Sequence, residues 1–357
     1  PDGIRTEWIK PGRCLWQWWA YDDPGTHWSK QKQFVDKAAE LKCQYYLVDE
    51  GWQHTRQEWA SEGKSVWDRM KELCDYAAGQ GVGIWVWQGW KFHERRQWPG
   101  LETPAKREEF FRRCAEVCIK GAKIDFMEAE SQEMLAFYED CRRVAAKHKV
   151  MVNFHGANKP AGERRTWPNE MTREGVRGLE YNKWSTLPPS HYATLPFTRF
   201  VVGAGDFTPT TFQEKMLKGT TFAQQLAGSI VYISPILCWA DKPEMYLESP
   251  AVEVIRSVPP VWDETVVLPD SKIGDLAAFA RRSGKQWFVG VLNGGKAREI
   301  TLDFSFLGNG AFTADFYGDV EGKPAQFDVQ KQVKVDASTK KTVRLNDGGG
   351  FVAWIRP

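Results

Sequence analysis

Lys123-Ile124-Asp125-Phe126-Met127 is a short apolar run that ends by presenting one carboxylate. Tyr45-Tyr46-Leu47-Val48-Asp49-Glu50-Gly51-Trp52 does the same upstream, and Val176-Arg177-Gly178-Leu179-Glu180-Tyr181 does it again downstream. Buried parallel strands read as such runs. A charged residue at the carboxyl end of a strand, where a loop begins, is where a (β/α)8 barrel keeps its chemistry. Three acidic strand ends point to a sugar-cleaving site, because glycoside hydrolysis is carried out by a pair of carboxylates.

Working outward, strand and helix patterns alternate. Strands are expected at 14–20, 45–48, 83–88, 122–126 and 150–154, then at 176–180, 197–202 and 229–233. Helical patterns lie between them, near 29–41, 66–80, 104–119, 132–148 and 212–226. Residues 155–172, rich in Gly, Pro and Arg, read as a long loop. Eight such units in series argue for a closed parallel TIM barrel. The texture changes near Pro259-Pro260 to short alternating runs separated by turn signals such as Asn293-Gly294-Gly295. That pattern is a small antiparallel β-sandwich. The expected organisation is a barrel over 1–260 followed by a sandwich over 261–357.

A chain of 357 residues accommodates both. Its 42% hydrophobic and 26% charged residues are those of a globular protein. A formal net charge of +2 provides no basic field, so no nucleic-acid partner is expected. No apolar run is long enough to span a bilayer, and no membrane partner is expected. No signal-peptide pattern opens the sequence. The seven cysteines form no CxxC spacing, so zinc and redox-motif readings fail. The 18 Trp are far above usual usage. Some suit stacking on sugar rings, while most are expected to pack between barrel and helices.

The chemistry centres on Asp125. Lys123 points to the same strand face, and a neighbouring cation favours the ionised carboxylate that a nucleophile needs. Of Asp49 and Glu50, adjacent residues that point to opposite faces, one is expected to bind substrate hydroxyls and the other to cap or form a salt bridge. Trp52 and Trp87, at strand ends, are expected substrate contacts with Lys123. His155, ending strand five, offers a donor to a sugar hydroxyl. Glu174 and Glu180 return to one face if their segment is extended. They then either share a hard cation such as Ca²⁺, or Glu174 pairs with Arg173 or Arg177.

Trp8-Ile9-Lys10-Pro11-Gly12-Arg13, Asn153-Phe154-His155-Gly156-Ala157, Arg164-Arg165-Thr166-Trp167-Pro168-Asn169 and Thr172-Arg173-Glu174-Gly175-Val176-Arg177-Gly178-Leu179-Glu180-Tyr181-Asn182 resemble glycoside hydrolase family 97. The Val48-Asp49-Glu50-Gly51-Trp52 and Lys123-Ile124-Asp125 pair more distantly resembles the wider α-galactosidase clan. The family resemblance implies a calcium-dependent exo-acting α-glycosidase on α-linked galactosides or glucosides. It implies retention here. Inverting members place a base Glu directly after the strand-five His, where this chain has Gly156, and retaining members carry an Asp nucleophile where this chain has Asp125. By that resemblance Glu180 is the general acid/base, and Glu174 and Glu180 are calcium ligands. It further implies a large N-terminal β-sandwich, to which nothing in this chain corresponds, so calcium is expected to bind weakly or not at all. A periplasmic or secreted location is suggested by the family alone. The competing readings are an inverting α-glucosidase and a catalytically silent carbohydrate-binding barrel.

Overall fold

The computed structural model describes residues 5–53 and 58–357. They form two compact units. The first comprises Pro1–Val176, Val202–Asp206 and Ser234–Pro243, and the second Arg177–Val201, Phe207–Ile233 and Glu244–Pro357.

The first unit is a nearly closed parallel barrel. Its strands are β1 (Gly12–Trp16), β2 (Tyr45–Val48), β3 (Gly83–Gly89), β4 (Gly121–Asp125), β5 (Met151–Phe154), β6 (Glu170–Arg173) and β7 (Ile236–Trp239), in the order β6-β5-β4-β3-β2-β1-β7. Beside β6 runs the irregular segment 202–206, where the Asp206 amide donates to the Arg173 carbonyl at 3.1 Å. Behind a short helix α1 (Trp18–Tyr21) come α2 (Gln31–Glu40), α3 (Val66–Gly79), α4 (Pro104–Glu116) and α5 (Gln132–Lys147). Each of the last three starts on a capping side chain. Ser65 forms a capping box with Asp68, and Thr103 and Ser131 accept from the amides of Lys106 and Met134. Gly121 permits close strand packing, because a Cβ there would lie 2.3 Å from the Trp85 ring.

Strands β2 to β5 fall where the apolar runs place them, while β1 ends at Trp16 and residues 18–20 of the run expected at 14–20 belong to helix α1. The later ones do not. Residues 176–180 are not a strand, and β6 begins within the stretch read as a loop and ends one residue beyond it. Its sequence Glu-Met-Thr-Arg carries no apolar signal, yet all four residues are buried. Glu170 is held by Arg142 at 3.0 Å and by Arg173 at 2.9 Å, so ion pairing replaces hydrophobicity. Residues 197–202 form 3-10 turns instead of a strand. The β-branched run at 229–233 ends a helix, and the last barrel strand is β7.

The second unit begins with a 3-10 turn at Leu179–Lys183 and two helices, α6 (Pro189–Thr194) and α7 (Phe222–Val231). Every residue of α7 from Ala223 to Val231 is buried. Buried on all sides, it can end in a continuous apolar run, which is why its end reads as a strand. Then follow β8 (Glu264–Val267), β9 (Leu276–Ser283), β10 (Gln286–Asn293), β11 (Arg298–Asp303), β12 (Phe312–Val320), β13 (Lys323–Val335), β14 (Lys340–Leu345) and β15 (Gly350–Arg356). Six pair in the antiparallel order β13-β12-β15-β10-β9-β8, and β11 pairs with β14. Trp287, Val289, Val291, Leu302, Val343, Phe316 and Ala353 share one core, so the two sheets form a small sandwich. The opposite face of the large sheet, with Phe288 and Leu292 also buried, lies against α7. At Gly290 a Cβ would lie 2.9 Å from Val231, so glycine sets that approach.

Candidate active site

The carboxyl ends of β1 to β6 gather polar side chains that the barrel otherwise buries. Asp125 ends β4 and is partly buried. Its Oδ2 accepts from Trp87 Nε1 at 2.9 Å, and its Oδ1 accepts from the Phe126 amide at 2.7 Å. Phe126 sits at φ +67°, an uncommon region for a bulky residue. That turn ends the strand and brings the amide back onto its carboxylate.

Lys123, two residues earlier, does face the same side. Its Nζ lies 3.0 Å from Asp49 Oδ2 and 4.0 Å from Asp125 Oδ2, so Asp49 is its nearer partner. The ammonium also stands 4.4 Å over the Trp16 ring, whose Nε1 donates to the same Asp49 oxygen at 2.6 Å. Asp49 Oδ1 accepts from the Glu50 amide at 2.8 Å. Glu50, on the other face, forms an ion pair with Arg96. Trp52 is fully buried, donating through Nε1 to the Trp87 carbonyl at 2.8 Å. Thus Trp52 supports Trp87, and Trp87 holds Asp125. Trp16, Trp19, Trp59, Trp85 and Trp239 are likewise buried. Packing accounts for these members of the Trp excess.

His155 ends β5. Its Nε2 lies 2.7 Å from Asp206 Oδ2, and its Nδ1 lies 3.8 Å from Glu174 Oε2. Burial and Lys123 both oppose a charged ring, but Glu174 and Asp206 outweigh them and raise its pKa to about 9. At neutral pH it is an imidazolium, hydrogen-bonded through Nε2 to Asp206 and within ion-pair reach of Glu174. Glu174 Oε2 also accepts from the Gly156 amide at 2.7 Å. Burial raises the Glu174 pKa, and the charge of Asp125 adds to this. Asp206 goes the other way. Burial would raise it, but His155, Asn153 and Lys123 together hold it below the usual range. Asn153 Nδ2 donates to the same Asp206 oxygen at 2.6 Å.

The segment after Glu174 is not extended, since Gly175 lies at φ +47°. Glu174 and Glu180 are therefore not related by even spacing on one strand. Glu180 stands in the 3-10 turn of the second unit, partly buried, between buried Leu179 and Tyr181. Arg173 turns to Glu170 and Asn158, and the Arg177 guanidinium lies 4.6 Å over the Tyr181 ring.

Asp206 and Arg96 were not singled out from the sequence. Phe200-Val201-Val202-Gly203-Ala204-Gly205-Asp206 is itself an apolar run ending in a carboxylate, the signal used for Asp49 and Asp125. Arg96 carries no such mark. Gly156 adopts φ +57°, and a Cβ there would lie 3.0 Å from Phe126 Cα and 3.1 Å from its nitrogen. The ends of β4 and β5 thus touch through a glycine.

This chain matches known proteins along nearly all its length. Residues 8–176 match the glycoside hydrolase 97 family model, and residues 261–356 match the model for the glycosyl-hydrolase 97 C-terminal, oligomerisation region. It is 35% identical to a retaining alpha-galactosidase of Bacteroides thetaiotaomicron, over 98% of this chain and 54% of that protein. It is 38% identical to a probable retaining alpha-galactosidase of Streptomyces bingchenggensis, over 87% of this chain and 48% of that protein. A glycoside hydrolase family 97 enzyme of Pseudoalteromonas sp. strain K8, solved with panose, superposes with a TM-score of 0.85 at 28% identity, covering 100% of this chain and 62% of that one. The chain therefore spans about half the length of the curated relatives it matches. With both family models matched in order, and the barrel and sandwich folded as described, the chain belongs to glycoside hydrolase family 97.

Proposed function

We propose that this chain carries the catalytic barrel and C-terminal sandwich, divided near residue 260, of a retaining exo-α-glycosidase acting on α-galactosides. The observation that carries the reading is Asp125 at the end of β4, with one oxygen bound by Trp87 Nε1 and the other by the Phe126 amide. A nucleophile must be aimed, and two N–H donors fix the direction of this carboxylate. Gly156 supports the same reading, since no carboxylate follows His155. The names of the two bacterial relatives support galactose as the sugar.

In the proposed double displacement, Asp125 Oδ attacks the anomeric carbon and the bond to the leaving oxygen breaks. The Glu180 carboxyl gives its proton to that oxygen. Glu180, now a base, takes a proton from water, which attacks the anomeric carbon and releases Asp125. The sugar leaves with its original configuration. Lys123, Asp49, Glu50 and His155 are assigned to the hydroxyls of the bound sugar in this reading. His155 is already charged, so it can only donate.

Calcium belongs to the same reading. Glu174 is a partly buried carboxylate, a hard oxygen donor of the kind Ca²⁺ takes. Glu174 and Glu180 would hold the ion, which when bound would draw negative charge and orient a sugar oxygen.

A panel of nitrophenyl α-glycosides, with and without calcium, tests the reading, with NMR following the anomer first released. Release of α-galactose is expected. Release of β-galactose would overturn retention, and sugar binding without turnover of any substrate would leave a silent barrel.

A further inference from the structure

Directly beyond Asp125 the barrel loops build an aromatic shelf that the proposed chemistry does not use. The loop after β3 carries Trp90, Phe92 and Trp98, and the loop after β4 begins with Phe126. The Phe126 and Trp98 rings are parallel, 3° apart in plane with centroids 5.7 Å apart. Trp98 in turn meets Trp87 edge-on at 4.7 Å. The stack therefore continues the indole that holds Asp125. It is also anchored. Trp98 is buried and its Nε1 donates to the Lys91 carbonyl at 3.2 Å, while Arg96, paired with Glu50, lies 5.8 Å over its ring. Gly89 ends β3 where a Cβ would lie 2.6 Å from Trp98 Nε1, so the strand end is glycine where the indole lies.

Phe126 differs from its neighbours in the stack. It is 42% exposed, and Phe92 is 43% exposed. Both border a cavity of about 470 Å³, with the exposed charges of Lys91 and Glu128 at its edge. That volume lies within the range of small-molecule sites, roughly 300–1,000 Å³. A large ring left in water beside a reacting carboxylate, backed by a rigid second ring, is a stacking surface. The charges beside it suit hydroxyl groups, which both donate and accept. An apolar face rimmed by hydroxyls describes a pyranose ring.

We propose that Phe126, backed by Trp98 and with Phe92 on the same cavity, is a subsite for the leaving-group sugar of the glycoside, so that oligosaccharides are preferred to glycosides with small leaving groups. The inference rests on the glycosidase reading above.

The test compares α-galactosyl fluoride, whose leaving group has no ring, with an α-galactosyl disaccharide. Phe126→Ala and Phe92→Ala are each expected to lower kcat/KM for the disaccharide by about 3–10-fold, the worth of one stacking contact, mainly through KM. For Phe92→Ala the value for the fluoride should stay within about twofold of wild type. Phe92 lies outside the hydrogen-bonded surroundings of Asp125, so its variant separates stacking from any disturbance of the nucleophile. Equal losses on both substrates in Phe92→Ala, or no loss on the disaccharide in either variant, would overturn the subsite. Wild-type protein inactive on both substrates would instead overturn the glycosidase reading, and the subsite with it.

Discussion

Trp87 Nε1 and Asp125 Oδ2 are joined by a hydrogen bond of 2.9 Å between the ends of neighbouring strands. Because β3 and β4 pair in register with Gly89 beside Asp125, the indole reaches across one strand spacing to the carboxylate. Removing that N–H while keeping an aromatic ring isolates its effect. Trp87→Phe is expected to lower kcat for α-galactosides by about 10–100-fold, from a lost bond to a charged group worth about 1.5–3 kcal/mol. Steady-state kinetics on nitrophenyl α-galactoside checks this.

Asp125→Gly removes the proposed nucleophile without adding bulk. Turnover of substrates with poor leaving groups should fall by roughly 10⁴-fold or more. Added azide should restore part of the rate with an activated substrate and yield the β-galactosyl azide, identifiable by NMR. Near wild-type turnover in the variant would end the assignment.

The Lys123–Asp49 pair is buried, with side chains 3% and 4% exposed. Deleting one partner leaves an uncompensated charge, at a cost of roughly 3–5 kcal/mol. Lys123→Met should therefore destabilise strongly in urea unfolding. The double variant Lys123→Met, Asp49→Leu should recover a large part of that loss. A double variant no more stable than Lys123→Met would show that packing around Trp16, and not the charge, sets the cost.

A second charge cluster ties α2 to α3 at the surface. Glu72 accepts from Lys32 at 3.0 Å and from Lys64 at 2.8 Å, and these bonds lower its pKa to about 2. A depressed carboxylate pKa stabilises the fold above the unfolded value, near 4.3, and the contribution is lost as pH falls through about 2. Glu72 is partly exposed, so the effect is about 1 kcal/mol or less and screened by salt. Glu72→Gln should lower Tm by roughly 1–3 °C at pH 7 in low salt. The difference should vanish towards pH 2 in calorimetry.

Calcium titrated calorimetrically into chelator-treated protein should bind weakly, because affinity falls with the number of charged ligands and this site is assigned only two. Glu174→Gln should weaken it further, by about tenfold or more. Tight binding unaffected by that substitution would place the ion elsewhere.

The first five strands were legible because each is an apolar run closed by a polar residue. The polar strand Glu170–Arg173 was not, since its burial rests on Arg142 and Glu170, partners far apart in sequence. Helix α7 was half legible, since burial on all sides lets its last turn be a continuous apolar run that a strand could equally carry. In the site, Asp125 and His155 were visible as strand ends. Asp49's commitment to Lys123 was not, because strand alternation says which face a side chain takes and not which neighbour it meets. Nor was the Phe126–Trp98 stack, which joins two loops through a glycine at the end of β3.

The glycine contact between β4 and β5 has a consequence for ancestry. A carboxylate added at position 156 would push against the Phe126 backbone, the same backbone that steers Asp125. A side chain at 156 is therefore felt at Asp125: the Phe126 backbone must give by a few tenths of an ångström, and the left-handed backbone at 156 adds its own strain. In a lineage the two strand ends are thus expected to change together, a substitution at one favouring a compensating change at the other.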